Sequence, residues 1–190
     1  MNIGRKQSIK VKKQKRNIFS ILVVSSIVLA FTTVPGLVGV GRAFAEDIIN
    51  ASLTAHAPID KVWNVVADID NEPKYWSSIK AIKNLNVNKK SNVTERDVTL
   101  EFANAIAHQI VSLNPKSSII VNQTQGPITG TRIMTLTILD NNNNETKIDV
   151  SWNMDLSKIP IFGKGFAKDN ILKTTQEALK KIVSAAENNS

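Results

Sequence analysis

Between residues 47 and 55 apolar and polar side chains alternate, with Ile49, Ala51, Leu53 and Ala55 on one parity and Asn50, Ser52, Thr54 and His56 on the other. Successive side chains of an extended chain point to opposite faces, so the pattern predicts a half-buried strand with His56 turned outward. Pro58 suits a first helical turn, and Val62, Trp63, Val65 and Val66 supply the buried side of a short helix ending near Asp68. Asp70 or Asn71 can cap a second short helix, in which Pro73 sits early and Tyr75, Trp76 and Ile79 make the apolar contacts. The chain therefore opens strand, helix, helix.

From Ala81 onward the helical period gives way to alternating runs. Ala81 to Val87 precedes a turn-rich segment at 88–92, and Val98, Leu100 and Phe102 then alternate with Asp97, Thr99 and Glu101. Ile106 to Leu113 closes on Asn114-Pro115, and Ser118 to Thr124 closes on Gly126-Pro127. Thr131 to Leu139 and Lys147 to Met154 flank a polar hairpin loop, and Ile148, Val150, Trp152 and Met154 define an inner face. Strands at hairpin spacing predict an antiparallel meander, about six or seven strands in all. After Pro160 the helical period returns, and Phe162, Phe166, Leu172, Leu179, Ile182, Val183 and Ala186 form an apolar stripe with lysines mostly opposite. A helix of roughly six turns must bury that stripe, and the inner face of the sheet is the large apolar surface available. The fold class is α+β: a curved antiparallel sheet wrapped around a long C-terminal helix, with Trp152 facing Phe166 and Leu172 across the gap.

Composition changes the picture only once charge is located along the chain. Of the net +8 over 190 residues, all is accounted for by Arg5, Lys6, Lys10, Lys12, Lys13, Lys15, Arg16 and Arg42, because residues 1–45 carry no acidic side chain and the rest is balanced. The remainder has no basic stripe to neutralise phosphates, which argues against nucleic acid. The basic run is followed by an apolar stretch from Ile18 to Gly41 and then by Ala43-Phe44-Ala45 before Glu46. This is the order of a secretory signal cleaved after Ala45, and the stretch is also long enough to act as an uncleaved membrane anchor. Both readings place residues 46–190, one domain, outside the cytoplasm, secreted or held at the outer face of the membrane. Asn50, Asn92, Asn122 and Asn144 each start an Asn-x-Ser/Thr triplet that an exporting cell can modify.

The segments Ala57-Pro58-Ile59-Asp60-Lys61-Val62-Trp63 and Asp68-Ile69-Asp70-Asn71-Glu72-Pro73-Lys74-Tyr75-Trp76, with Gly126-Pro127 to Gly130 and the helix from Gly163 to Ala186, carry a resemblance. In this order of elements, residues 46–190 resemble the START-like, Bet v 1-like superfamily (SRPBCC), which includes polyketide cyclase/dehydrase proteins. The resemblance implies a helix-grip fold with a cavity between sheet and helix that takes lipids, polyketides or other apolar molecules. It carries over no catalytic residue, since the superfamily has no shared catalytic set.

His108 shares parity with Ile106 and Ile110, which would turn its imidazole inward, where it needs a partner or a ligand. A partnered core histidine is the first reading; an acid or base of a cyclase or dehydratase is the second. Arg132, near a strand end, is read as reaching solvent or an Asp, and Asp68, Asp70 and Glu72 as helix-start capping residues. Trp76, Phe102, His108, Met134, Trp152 and Phe166 are the candidate cavity-lining, ligand-binding residues, although aromatics in such positions are most often core. No cysteine, His pair, nucleophile motif or phosphate-binding glycine loop is present, so no metal, cofactor or hydrolase site is predicted. The expected function is a binding module, carrier or sensor, for an apolar small molecule or lipid. The alternatives are an enzyme using His108 and a surface-interaction domain with a filled core.

Overall fold

The computed structural model describes residues 47–139 and 143–188. The basic and apolar segment before them, with its expected cleavage site, lies outside the described residues. Strand β1 (Asp47–Ala55) leads into helix α1 (Ile59–Val66), whose buried face is Ile59, Val62, Val65 and Val66. Pro58 precedes the helix, where its missing N–H costs nothing, and its carbonyl accepts from the backbone N–H of Lys61 at 3.0 Å. The second expected helix is a single 3-10 segment, Ile69–Lys74, and Ile79 belongs not to it but to the next strand. Pro73 inside so short a segment removes a donor, which favours an early end.

Six strands follow: β2 (Ile79–Asn88), β3 (Val93–Leu100), β4 (Ile106–Asn114), β5 (Ser118–Gln125), β6 (Thr129–Ile138) and β7 (Thr146–Asp155). With β1 they form one seven-stranded sheet in the order β1-β7-β6-β5-β4-β3-β2, every neighbouring pair antiparallel. Helix α2 (Ile161–Asn188) crosses its inner face. This is the helix-grip α+β architecture.

The main core joins α1, the inner face and the second half of α2, where Ala178, Leu179, Ile182 and Ala186 are buried against residues such as Val62, Ile148 and Val150. A smaller cluster of Ile49, Met154 and Leu156 packs with Ile128, Ile159, Ile171 and Leu172 beneath the middle of the helix. Trp152 packs against both clusters. The first turns of α2 behave differently from the sequence expectation: Phe162 is 89 % and Phe166 78 % exposed. The apolar stripe grips the sheet only from Ile171 onward.

Candidate functional site

Antiparallel register places one residue from each strand in rows that cross the sheet, and two adjacent rows build the site. The first runs Arg96 (β3), Gln109 (β4), Gln123 (β5), Gly130 (β6), Met154 (β7). The second runs Thr94, Val111, Val121, Arg132, Trp152, Ile49. All face the helix side. The 3-10 segment after α1 closes over them with Glu72, and Trp76 follows it.

Glu72, Arg96 and Arg132 are all buried. Arg132 and Arg96 each donate from Nη2 to a separate oxygen of the Glu72 carboxylate. Arg96 also donates from Nη1 to the Ile69 carbonyl at 3.0 Å and from Nε to Gln109 Oε1 at 3.1 Å. Gln109 passes the chain on through Nε2 to Gln123 Oε1 at 2.9 Å, and Gln123 donates to the Ile128 carbonyl. The Arg132 guanidinium lies 4.2 Å from the centre of the Trp76 ring and 5.5 Å from that of Trp152, and the two indoles meet edge to face at 5.9 Å. Trp152 is held by its Nε1 donating to Thr175 Oγ1 of α2 at 3.0 Å. Burial pushes the Glu72 carboxyl up, but Arg132 and Arg96 together outweigh it and hold it below the ordinary value of 4.5. Burial lowers Arg132, with Glu72 opposing.

Beside Gln123, Gly130 and Met154 lies a cavity of about 50 Å³. Its walls include Ile79, Leu100, Val121, Met154 and Trp152, with Arg132 beside them. Ser78, Leu100 and Thr129 are only half-buried, so the cavity reaches the rim of the sheet. Gly130 itself is irreplaceable on steric grounds: its φ is +143° and a Cβ there would stand 2.2 Å from the Asn153 carbonyl oxygen.

The sequence-predicted residues divide. Trp152 lines this cavity, while Trp76 and Met134 line a second void of about 10 Å³ further in, under α1. Phe102 falls in a 3-10 turn after β3 and is 81 % exposed, because the strand ends at Leu100 and its alternation ends with it. Phe166 is exposed and does not face Trp152. His108 is on the outer face, since Arg96 and Val98 of β3 point inward and the register pairs them with Gln109 and Ala107. There His108 Nδ1 meets Asp97 at 3.0 Å and Nε2 meets Glu95 at 3.1 Å. The hydrogen bond to Asp97, with the charges of Glu95 and Asp97, raises its pKa above 6.5. A histidine on that face cannot act on a molecule in the cavity. Arg132 is buried rather than solvent-directed, and Glu72 is its ion-pair partner rather than a capping residue. Arg96 and Gln109 were missed, although Arg96 shares the parity of Val98 and Leu100 and Gln109 that of Val111. Among the described residues no cluster of His, Cys, Asp and Glu suited to a metal ion occurs.

No family model and no curated protein matches the sequence. Solved structures do match. The Zhui aromatase/cyclase from Streptomyces sp. R1128 superposes with a TM-score of 0.64 at 14 % identity, over 74 % of this chain and 93 % of that one. A protein from Thermus thermophilus gives 0.63 at 12 % identity over 74 % and 97 % of the two chains. A START superfamily protein from Mycobacterium smegmatis gives 0.56 at 16 % identity, over 74 % and 94 %. The fold is the START-like, Bet v 1-like helix-grip fold. The candidate site is an apolar cavity with a buried ion cluster at its wall.

Proposed function

We propose that the domain is a binding module, a carrier or sensor, that takes an apolar small molecule or lipid between the sheet and α2, outside the cytoplasm. The observation that carries this is the apolar-walled cavity under Trp152 and Leu100, open at the rim of a sheet that α2 covers only in part. At about 50 Å³ it is smaller than the roughly 300 Å³ or more that encloses a drug-sized ligand. No α2 residue lines it, so a larger ligand extends out through the rim, where Ser78, Leu100 and Thr129 are half-buried. The eight basic residues flanking the apolar stretch support export through a cleaved signal or an anchor. Among the described residues no helix is long and apolar enough to cross a membrane.

The test uses the neutral probe N-phenyl-1-naphthylamine, whose fluorescence rises in apolar surroundings. Residues 46–190 should bind it saturably, and native mass spectrometry should find a co-purifying apolar molecule. Absence of both sinks the binding reading. A reporter fused after Ser190 should work only outside the cytoplasm, and a mature chain starting at Glu46 would mark cleavage.

A further inference from the structure

Two guanidiniums face one carboxylate in the buried cluster, and among the described residues no other acidic side chain is buried. The cluster therefore holds one positive charge in excess. A buried charge without a counterion is costly in a medium that screens poorly, and here the faces of Trp76 and Trp152 beside Arg132 and the neutral Ile69 carbonyl and Gln109 Oε1 beside Arg96 offset it only in part. Arg132 bears a second deficit: its Nε is buried and has no hydrogen-bond partner, although nearly all buried donors in folded proteins are paired. Arg132 is the one side chain that lines both the rim cavity and the smaller inner void. The neighbouring amides do not supply the missing acceptor: Gln109 Oε1 accepts from Nε and Nη2 of Arg96, Gln123 Oε1 accepts from Gln109 Nε2, and neither bonds Arg132 Nε.

We infer that the rim cavity receives the monoanionic head group, of carboxylate size, of an amphipathic molecule, with Arg132 as the residue that recognises it. This rests on the binding reading above and adds to it the chemistry of the ligand's polar end. One negative charge balances the cluster; a dianion such as a phosphate monoester would leave it negative by one. An oxygen against the Arg132 guanidinium supplies the missing negative charge, and Ser78 and Thr129 on the same walls carry hydroxyls for the other oxygen. The apolar chain leaves along Ile79, Leu100 and Met154. The volume of about 50 Å³ holds the head, and the chain extends out over the rim.

The experiment compares dodecanoate with dodecan-1-ol, equal in chain length, as displacers of N-phenyl-1-naphthylamine from residues 46–190 at neutral pH. Dodecanoate should displace at a roughly tenfold or more lower concentration, the advantage of a charge-assisted over a neutral hydrogen bond. Sodium formate should weaken dodecanoate and leave dodecan-1-ol unaffected, a measurement on the unaltered protein that does not depend on any variant folding. In Arg132→Gln, where Glu72 keeps Arg96, the ratio of acid to alcohol should fall to about one. Equal displacement by acid and alcohol in the unaltered protein overturns the inference and leaves the binding reading standing. Failure of the probe itself to bind overturns both. If formate alone protects the fold against heating at the same concentration as dodecanoate, the site is one for free small anions and the amphipathic ligand is wrong.

Discussion

Glu72 has the most to lose of any single residue, because two arginines from different strands converge on it inside the core. Removing one member of a buried ion cluster leaves the others charged and unpaired, at a cost of about 3 to 5 kcal/mol. Glu72→Gln should show a loss of that order in urea unfolding, with Arg96 and Arg132 left repelling each other. An unchanged midpoint would mean that the cluster does not exist in solution. The pH dependence follows from the direction of its shift. A carboxyl whose folded pKa lies below its unfolded 4.5 adds stability that is complete above that value and is lost as pH falls through the folded pKa. The unaltered protein should thus unfold in acid, and Glu72→Gln should lack this component. His108 runs the other way, its pKa raised above 6.5 chiefly by Asp97, so its contribution is complete below 6.5 and fades as pH rises through the folded value. An NMR titration should place His108 above 6.5 and Asp97→Asn should bring it down. If that variant leaves the titration unmoved, the outer-face pairing is wrong.

Helix α2 is one element with two energetic halves. Leu179 is buried between sheet and α1, and Leu179→Ala should cost about 2 to 5 kcal/mol, whereas Phe166→Ser on the exposed half should stay within roughly 0.5 kcal/mol. Comparable losses at both positions would show that the first turns pack as tightly as the last. The sequence makes the existence of this helix plain through its helical period. It does not show where the stripe stops meeting the sheet, because an apolar residue beyond the edge of a partner surface has the same spacing as one on it. The strands teach a similar lesson. The parity of β6 and β7 is legible, since Met134, Leu136, Ile148 and Val150 leave no choice. In β4 both parities carry two large aliphatics, Ile106 and Ile110 against Val111 and Leu113, and the decision falls to Arg96 across the ladder. Following β3's inward parity back from Val98 to Arg96 would have pointed to a buried cation, and from it to Gln109. The pairing with Glu72 has no such signal, because a residue in a short turn carries no period.

At the scale of the molecule, Trp152 is the side chain through which cavity, ion cluster and helix meet. It packs on both apolar clusters, lies edge to face with Trp76, faces Arg132, and ties β7 to α2 through Thr175. Its replacement cannot be silent for stability, yet stability alone does not separate a filled core from a binding wall. Linkage does. A ligand that binds only the folded state at about a hundredfold excess over its Kd adds roughly 2.7 kcal/mol. For a domain of this size each kcal/mol moves the melting temperature by about 2 to 4 °C, so saturating dodecanoate should raise that of the unaltered protein by roughly 5 to 10 °C. Trp152→Ala should lower the melting temperature without ligand by a loss of about 3 kcal/mol and should also shrink the ligand-induced rise, because the wall that the chain lies against is gone. Trp152→Phe keeps an aromatic ring at the wall and gives up one ring of the indole with its hydrogen bond to Thr175, whose hydroxyl still donates to the Ile171 carbonyl at 2.7 Å. It should cost about 1 kcal/mol and retain most of the rise. A rise equally large in Trp152→Ala would place the ligand elsewhere on the domain, and no rise in the unaltered protein would leave Trp152 a structural residue alone.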